Sequence, residues 1–165
     1  MKKIIARTAV LMLLTLAFCS VHTLLAQIKV YKGTSKYSSD IICNVSKDKI
    51  YKKSSSYSSD VICNISKNKV YKGTSSYNSD VLFTIQDGKV YKGTSSYSSD
   101  IVLTIRDGKI YKGTSSYSSD IMATIKNGKV YSGTSSYSSD IKFTISDDVT
   151  IEEFVAIWYA VKYSY

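Results

Sequence analysis

The sequence predicts an all-β domain: six antiparallel β-hairpin repeats in a closed or stacked array, followed by a short C-terminal helix. Three observations lead there. One 20-residue frame recurs from Lys29, Lys49, Lys69, Lys89, Lys109 and Lys129. Within it, apolar β-branched residues alternate with period two and are followed by Asp-Gly or Asn-Gly pairs. After Ile145 the pattern breaks, and a capping box opens an almost wholly apolar run. A fixed period of this kind marks a repeat architecture, in which each unit buries its apolar face against its neighbours.

In chain order, the first element is a targeting segment. Lys2, Lys3 and Arg7 form a basic head, and Thr8 to Val21 is uncharged and mostly apolar. That is the plan of a secretory signal peptide over residues 1–26, with cleavage after Ala26 and a single mature domain over 27–165; its apolar run is short for a membrane span. A retained anchor is the alternative. Cys19 follows the bulky Phe18, which argues against lipidation. Removal of residues 1–26 takes away three basic residues and no acidic one, so the formal charge falls from +9 to +6. The expected location is exported: periplasm, outer surface or medium. The positive balance suits solubility, or attraction to an anionic polymer. Nucleic acid is not an expected partner, because lysines and aspartates interleave along the repeats.

Each repeat reads alike. In the fourth, Ile101, Leu103 and Ile105 alternate with Val102 and Thr104, the period of a strand. Asp107-Gly108 then supplies a two-residue type I′ turn, which needs positive φ at both positions, and Lys109 to Lys112 return. Asp87-Gly88 and Asn127-Gly128 repeat the turn; Lys47-Asp48 and Lys67-Asn68 replace it with less pliant residues. Gly33, Gly73, Gly93, Gly113 and Gly133 end the short strand, but repeat two has Lys53, so a bend there prefers glycine without requiring it. The connecting stretch is polar except for one tyrosine (Tyr97 in repeat four), expected to fold back and seal the core edge. An open array would leave unpaired strand edges, so it must be capped or closed.

Cys43 and Cys63 hold equivalent slots that later carry Phe83, Leu103, Ala123 and Phe143. Two readings stay open: packed core residues, or a disulfide if the two long strands are adjacent. No metal site is expected from two thiols and the lone His22.

In the tail, Thr150 and Glu153 form the capping box, and a helix at about 150–162 follows; an extra closing strand is the alternative. A helix apolar on all sides needs cover on all sides, from a central cavity or a broad face of the array.

The unit DGKIYKGTSSYSSDI, joined to the terminal TIEEFVAIWYAVKYSY, resembles the bacterial β-flower proteins, in which short antiparallel hairpins are arranged as petals about an axis. The resemblance covers residues 28–165, with petals at Asp40 to Lys52 and its equivalents. It implies a flower-like array of hairpin petals about an axis, with closure of the ring left open. The family's best-known form is four-fold, and six repeats depart from that count. The resemblance implies no enzymatic activity and transfers no functional residue. Choline-binding hairpin repeats have a similar length, but rely on tryptophan cages that these repeats lack.

The chemistry-bearing residues recur with the repeat. Asp40, Asp60, Asp80, Asp100, Asp120 and Asp140 suggest either a cation or hydrolytic ladder, or carboxylates that accept backbone N–H groups or pair with lysines. Equivalent acids do not divide into acid and base roles, so the second reading is favoured. The candidate binding residues are Tyr31, Tyr51, Tyr71, Tyr91 and Tyr111 with Lys32, Lys52, Lys72, Lys92 and Lys112. Lysines attract anionic envelope polymers; tyrosine faces stack on sugar rings, or else pack the core. The function expected is a non-catalytic secreted or envelope-associated protein, structural or weakly binding envelope glycan or another anionic polymer. A hydrolase with a site between repeats is the alternative, and no cofactor is expected.

Overall fold

The computed structural model describes residues 27–163; the expected signal segment, with Cys19 and His22, lies outside them. Twelve strands alternate short and long: β1 Ile28–Lys32, β2 Ile41–Ser46, β3 Lys49–Lys52, β4 Val61–Ser66, β5 Lys69–Lys72, β6 Val81–Gln86, β7 Lys89–Lys92, β8 Ile101–Arg106, β9 Lys109–Lys112, β10 Ile121–Lys126, β11 Lys129–Ser132 and β12 Ile141–Ile145. Helix α1 spans Ile151–Tyr163. Each strand pairs antiparallel with its chain neighbours, and β12 pairs with β1, so the sheet closes into a barrel. Closure removes every free edge.

Five hairpins are continuous in the chain, and the sixth is assembled from its two ends. The pairs Val30↔Ile145, Tyr31↔Thr144 and Lys32↔Phe143 reproduce Ile50↔Val45, Tyr51↔Asn44 and Lys52↔Cys43 within the first hairpin. Where the covalent turn is missing, Ser146 substitutes: its N–H donates to the Lys29 carbonyl at 2.9 Å, and its Oγ accepts the Lys29 N–H at 2.9 Å.

At the turns, Asp107 and Gly108 both have positive φ (+51° and +68°), as the type I′ reading requires. Gly108 is constrained twice, because a Cβ there would lie 2.9 Å from the Ile125 carbonyl oxygen. That carbonyl belongs to the next long strand, and the Gly108 carbonyl itself accepts the Ile125 N–H at 2.6 Å. In repeat two Asn68 answers the same crowding with a bond, its Nδ2 donating to the Ile85 carbonyl at 3.0 Å. At the opposite end Lys53 adopts φ +51°, as Gly73 adopts +55°. A side chain is therefore accepted at that bend.

One feature of the strands departs from plain alternation. On every long strand the register slips by one where it meets the preceding short strand, as between Val30↔Cys43 and Tyr31↔Ile41. Two residues oppose one across such a bulge, and Ile42 and Cys43 both join the central core. Asn44 faces outward and is fully buried; its Nδ2 donates to the carbonyls of Lys53 and Ser55, at 2.8 and 2.9 Å. Asn64 does the same in repeat two, and in repeats three to six a threonine holds the corresponding glycine carbonyl, as Thr84 holds Gly93. Those bonds tie each connecting loop to the barrel wall.

The core is the lumen itself. Val30, Ile50, Val70, Val90, Ile110 and Val130 form a ring without solvent exposure. Helix α1 fills the centre with Phe154, Val155, Ala156, Ile157 and Ala160, all buried. The capping box is formed: the Glu153 carboxylate accepts the Thr150 N–H at 2.8 Å, and Thr150 Oγ1 accepts the Glu153 N–H at 3.2 Å. The helix is off-axis. It packs closest to β4 and β2, then β5 and β3, where Cys63 Sγ lies 3.8 Å from the Ala156 carbonyl. Phe83 and Phe143 reach the helix from β6 and β12, with ring centroids 5.8 Å from Tyr159 and 6.3 Å from Trp158.

β3 lies between β2 and β4, so Cys43 and Cys63 are not on adjacent strands; both are free, buried thiols. Burial pushes the Cys43 thiol up to about 12, and burial with the nearby Cys43 pushes Cys63 up as well. The count departs from the four-fold form named above: six hairpins close the ring.

Candidate functional site

Two ends of the barrel present different chemistry. The turn end carries the two-residue turns and the capped start of α1. The loop end carries the connections of Gly33–Asp40 and their equivalents, and the last turn of α1.

The lysine register belongs to the loop end. Val30 points into the lumen, so Lys32, two residues on, shares its face. Lys32, Lys52 and Lys72 accordingly line a crevice of about 680 Å³ with Tyr159 of the helix, Lys53 and Asp40. Lys92 and Lys112 occupy the same position on β7 and β9, so the five lysines stand around most of the mouth. Ser132 leaves a gap in the ring. Cations beside the C-terminal turn of a helix meet its unpaired carbonyls favourably.

The tyrosines of the sequence-based site are elsewhere. Tyr31, Tyr51, Tyr71, Tyr91 and Tyr111 alternate with the lumen-facing residues and so lie on the outer wall, where each pairs across the strand with Ile41 or its equivalent. Tyr91 and Tyr111 are buried and the other three are half-buried. The Arg106 guanidinium covers the Tyr111 ring at 5.2 Å. Consecutive residues of a strand cannot serve one ligand face, so the structure separates these tyrosines from the lysines beside them.

A second tyrosine register takes the exposed position. Tyr37, Tyr57, Tyr77, Tyr97, Tyr117 and Tyr137 are 73–76% exposed. The expectation that Tyr97 folds back over the core is therefore wrong. The backbone explains it: each tyrosine is extended (φ −82°, ψ 140° at Tyr97) ahead of a one-turn 3-10 helix, Ser98–Asp100 in repeat four. That helix and the side chain of Ser95 hold the loop, and the ring is directed to water.

The aspartates close each loop. Ser35 Oγ donates to the Asp40 carboxylate at 2.5 Å and accepts the Tyr37 N–H at 3.1 Å. The same pair of bonds recurs in all six repeats, for example from Ser95 to Asp100 at 2.5 Å. The carboxylate partner is a serine hydroxyl, where the sequence suggested backbone N–H groups or lysine. Six carboxylates in one identical bond set offer no division into acid and base. Among the described residues no three His, Cys, Asp or Glu side chains converge as metal ligands.

A second crevice of about 550 Å³ lies on the other side of α1, lined by Lys32, Met122, Lys142, Phe143, Trp158, Val161 and Lys162. No signal in the sequence pattern marks it. The bulge that turns the Met122 and Lys142 positions inward breaks the period-two pattern, and only the register shift shows it.

A family model described as 6-fold beta flower protein matches residues 30–158. No curated protein and no solved structure gives a match.

Proposed function

We propose that this chain, which belongs to the 6-fold beta flower family, is an exported, non-catalytic protein whose loop end holds an anionic envelope glycan or similar polymer. The observation that carries this reading is the lysine ring Lys32, Lys52, Lys72, Lys92 and Lys112 at the same end as six exposed tyrosines. Lysine ammonium groups attract carboxylate or sulfate groups along a polymer, and amphipathic aromatic rings suit sugar faces. Repetition favours a repeating ligand, since each petal offers the same weak contact and several act together. The aromatic members of the site are Tyr37 and its equivalents, and Tyr31 and its equivalents serve the outer wall. The six serine-bound aspartates act as loop braces.

The test is titration of the mature protein with polygalacturonate, dextran sulfate and neutral dextran at low and high salt. The proposal expects saturable binding of the two polyanions that weakens with salt, and none of neutral dextran. Equal binding of all three, or of none, overturns it. Export is tested by intact mass of the protein from the native envelope or medium. A mature start near Gln27 is expected, and Met1 retained in exported protein would refute it.

A further inference from the structure

We propose that the crevice between α1 and the wall of repeats five and six binds a single-chain anionic amphiphile, of the chemical class of a fatty-acid carboxylate. The crevice lies on the side of α1 away from β4 and β2, the strands to which the helix packs closest. Ala156 and Ala160, one helical turn apart, are both fully buried, and the Ala156 carbonyl lies 3.8 Å from Cys63 Sγ on β4. On the far side the inward slot of β10 is only Ala123, fully buried and small. The adjoining bulge slot holds Ile42, Ile62, Leu82 and Val102 in the first four repeats, packed into or against the core. In repeats five and six that slot holds Met122, 38% exposed, and Lys142. The space left over is lined by Met122, Phe143, Trp158 and Val161, with Lys32, Lys142 and Lys162 as its polar residues.

That lining specifies both halves of the ligand. Its volume, about 550 Å³, lies in the range of small-molecule sites, which are mostly apolar with a few placed polar groups. The apolar surfaces fit an alkyl chain, whose burial is favourable in proportion to the apolar area removed from water. Three lysines and no acid fit a single anionic head. The crevice across the helix differs, since Asp40 and Ser39 join its lysines. The amphiphile site shares only Lys32 with the polymer site, and it stands whether or not the polymer reading holds.

Trp158 is the single tryptophan of the chain and lies in the wall of the crevice, so its emission reports occupancy. The experiment titrates the mature protein with sodium dodecanoate below its micellar concentration, with butyrate and dodecyltrimethylammonium as comparisons. Expected is a saturable, one-to-one shift of Trp158 emission with dodecanoate, and at least tenfold weaker binding of the other two. Lys142→Glu and Met122→Asp, at exposed positions outside the opposite crevice, should each weaken dodecanoate at least tenfold, with folding checked by circular dichroism. Equal affinity for the cationic amphiphile would reduce the site to an apolar gap, and equal affinity for butyrate to a surface anion site; either overturns the proposal. So does unchanged dodecanoate affinity in both variants. If either variant fails to fold, the wild-type series decides alone.

Discussion

The two ends of the barrel are built from the same repeat and differ in how much freedom they leave a side chain. At the turn end a Cβ on Gly108 would sit 2.9 Å from a carbonyl oxygen of the next strand, and 2.5 Å on Gly88. At the loop end a Cβ on Gly113 meets nothing nearer than 3.5 Å, and on Gly73 nothing within 4 Å. The turn end also holds the capped helix start. The loop end exposes six tyrosines and flanks the end of α1 with two crevices. The turn end thus carries register and closure, and the loop end has surface to spare for recognition. Loops held on a rigid scaffold are where binding residues concentrate.

Substitutions test the difference between the two ends. The largest effect lies between the two ends, in the shared core: Ile157→Ala should cost about 2–5 kcal/mol in a denaturant melt, because the side chain is fully buried in the lumen. Next comes a matched pair. Gly108→Ala and Gly113→Ala both place a Cβ at positive φ, intrinsically worth roughly 1–2 kcal/mol. Gly108→Ala should cost clearly more, through the Ile125 carbonyl, and equal losses would erase the difference between the ends. Thr150→Ala should cost about 1 kcal/mol through the lost cap. Smallest is Tyr97→Ala, expected within about 0.5 kcal/mol of wild type in stability while weakening polyanion binding. A large stability loss there would mean that the tyrosine crown serves packing.

Much of this was legible in the chain. Asp107-Gly108 announced a tight turn because few dipeptides tolerate positive φ twice, and Thr150 with Glu153 announced the helix start. Lys53 in a glycine slot revealed a bend with room beside it. The disulfide question reduced to one geometric fact, whether a short strand separates Cys43 from Cys63, and strand order is a property of the closed sheet. Both thiols should react with an aromatic disulfide reagent only on unfolding, since burial holds them protonated. The candidate binding residues were half legible. Tyr31 and Lys32 adjoin in sequence, and alternation along the strand sends them to opposite faces. Tyr97 looked like a core residue because it is the one apolar side chain in a polar loop. The bulge at Ile42 left no signature in the hydrophobic pattern, so the crevice beside Trp158 was hidden.

The proposed polymer site at the loop end is distinguished from attraction by net charge when two sets of lysines are compared. Lys52, Lys72 and Lys92 line the loop-end mouth; Lys49, Lys69 and Lys89 begin the same short strands at the turn end. Replacing either triplet with glutamine removes the same charge. The affinity of each triple variant for polygalacturonate is compared with wild type at one salt concentration. The loop-end triplet should lose at least tenfold in affinity, and the turn-end triplet should change by less than about threefold. Equal losses would show a polymer attracted by overall charge, and would contradict a site at the loop end.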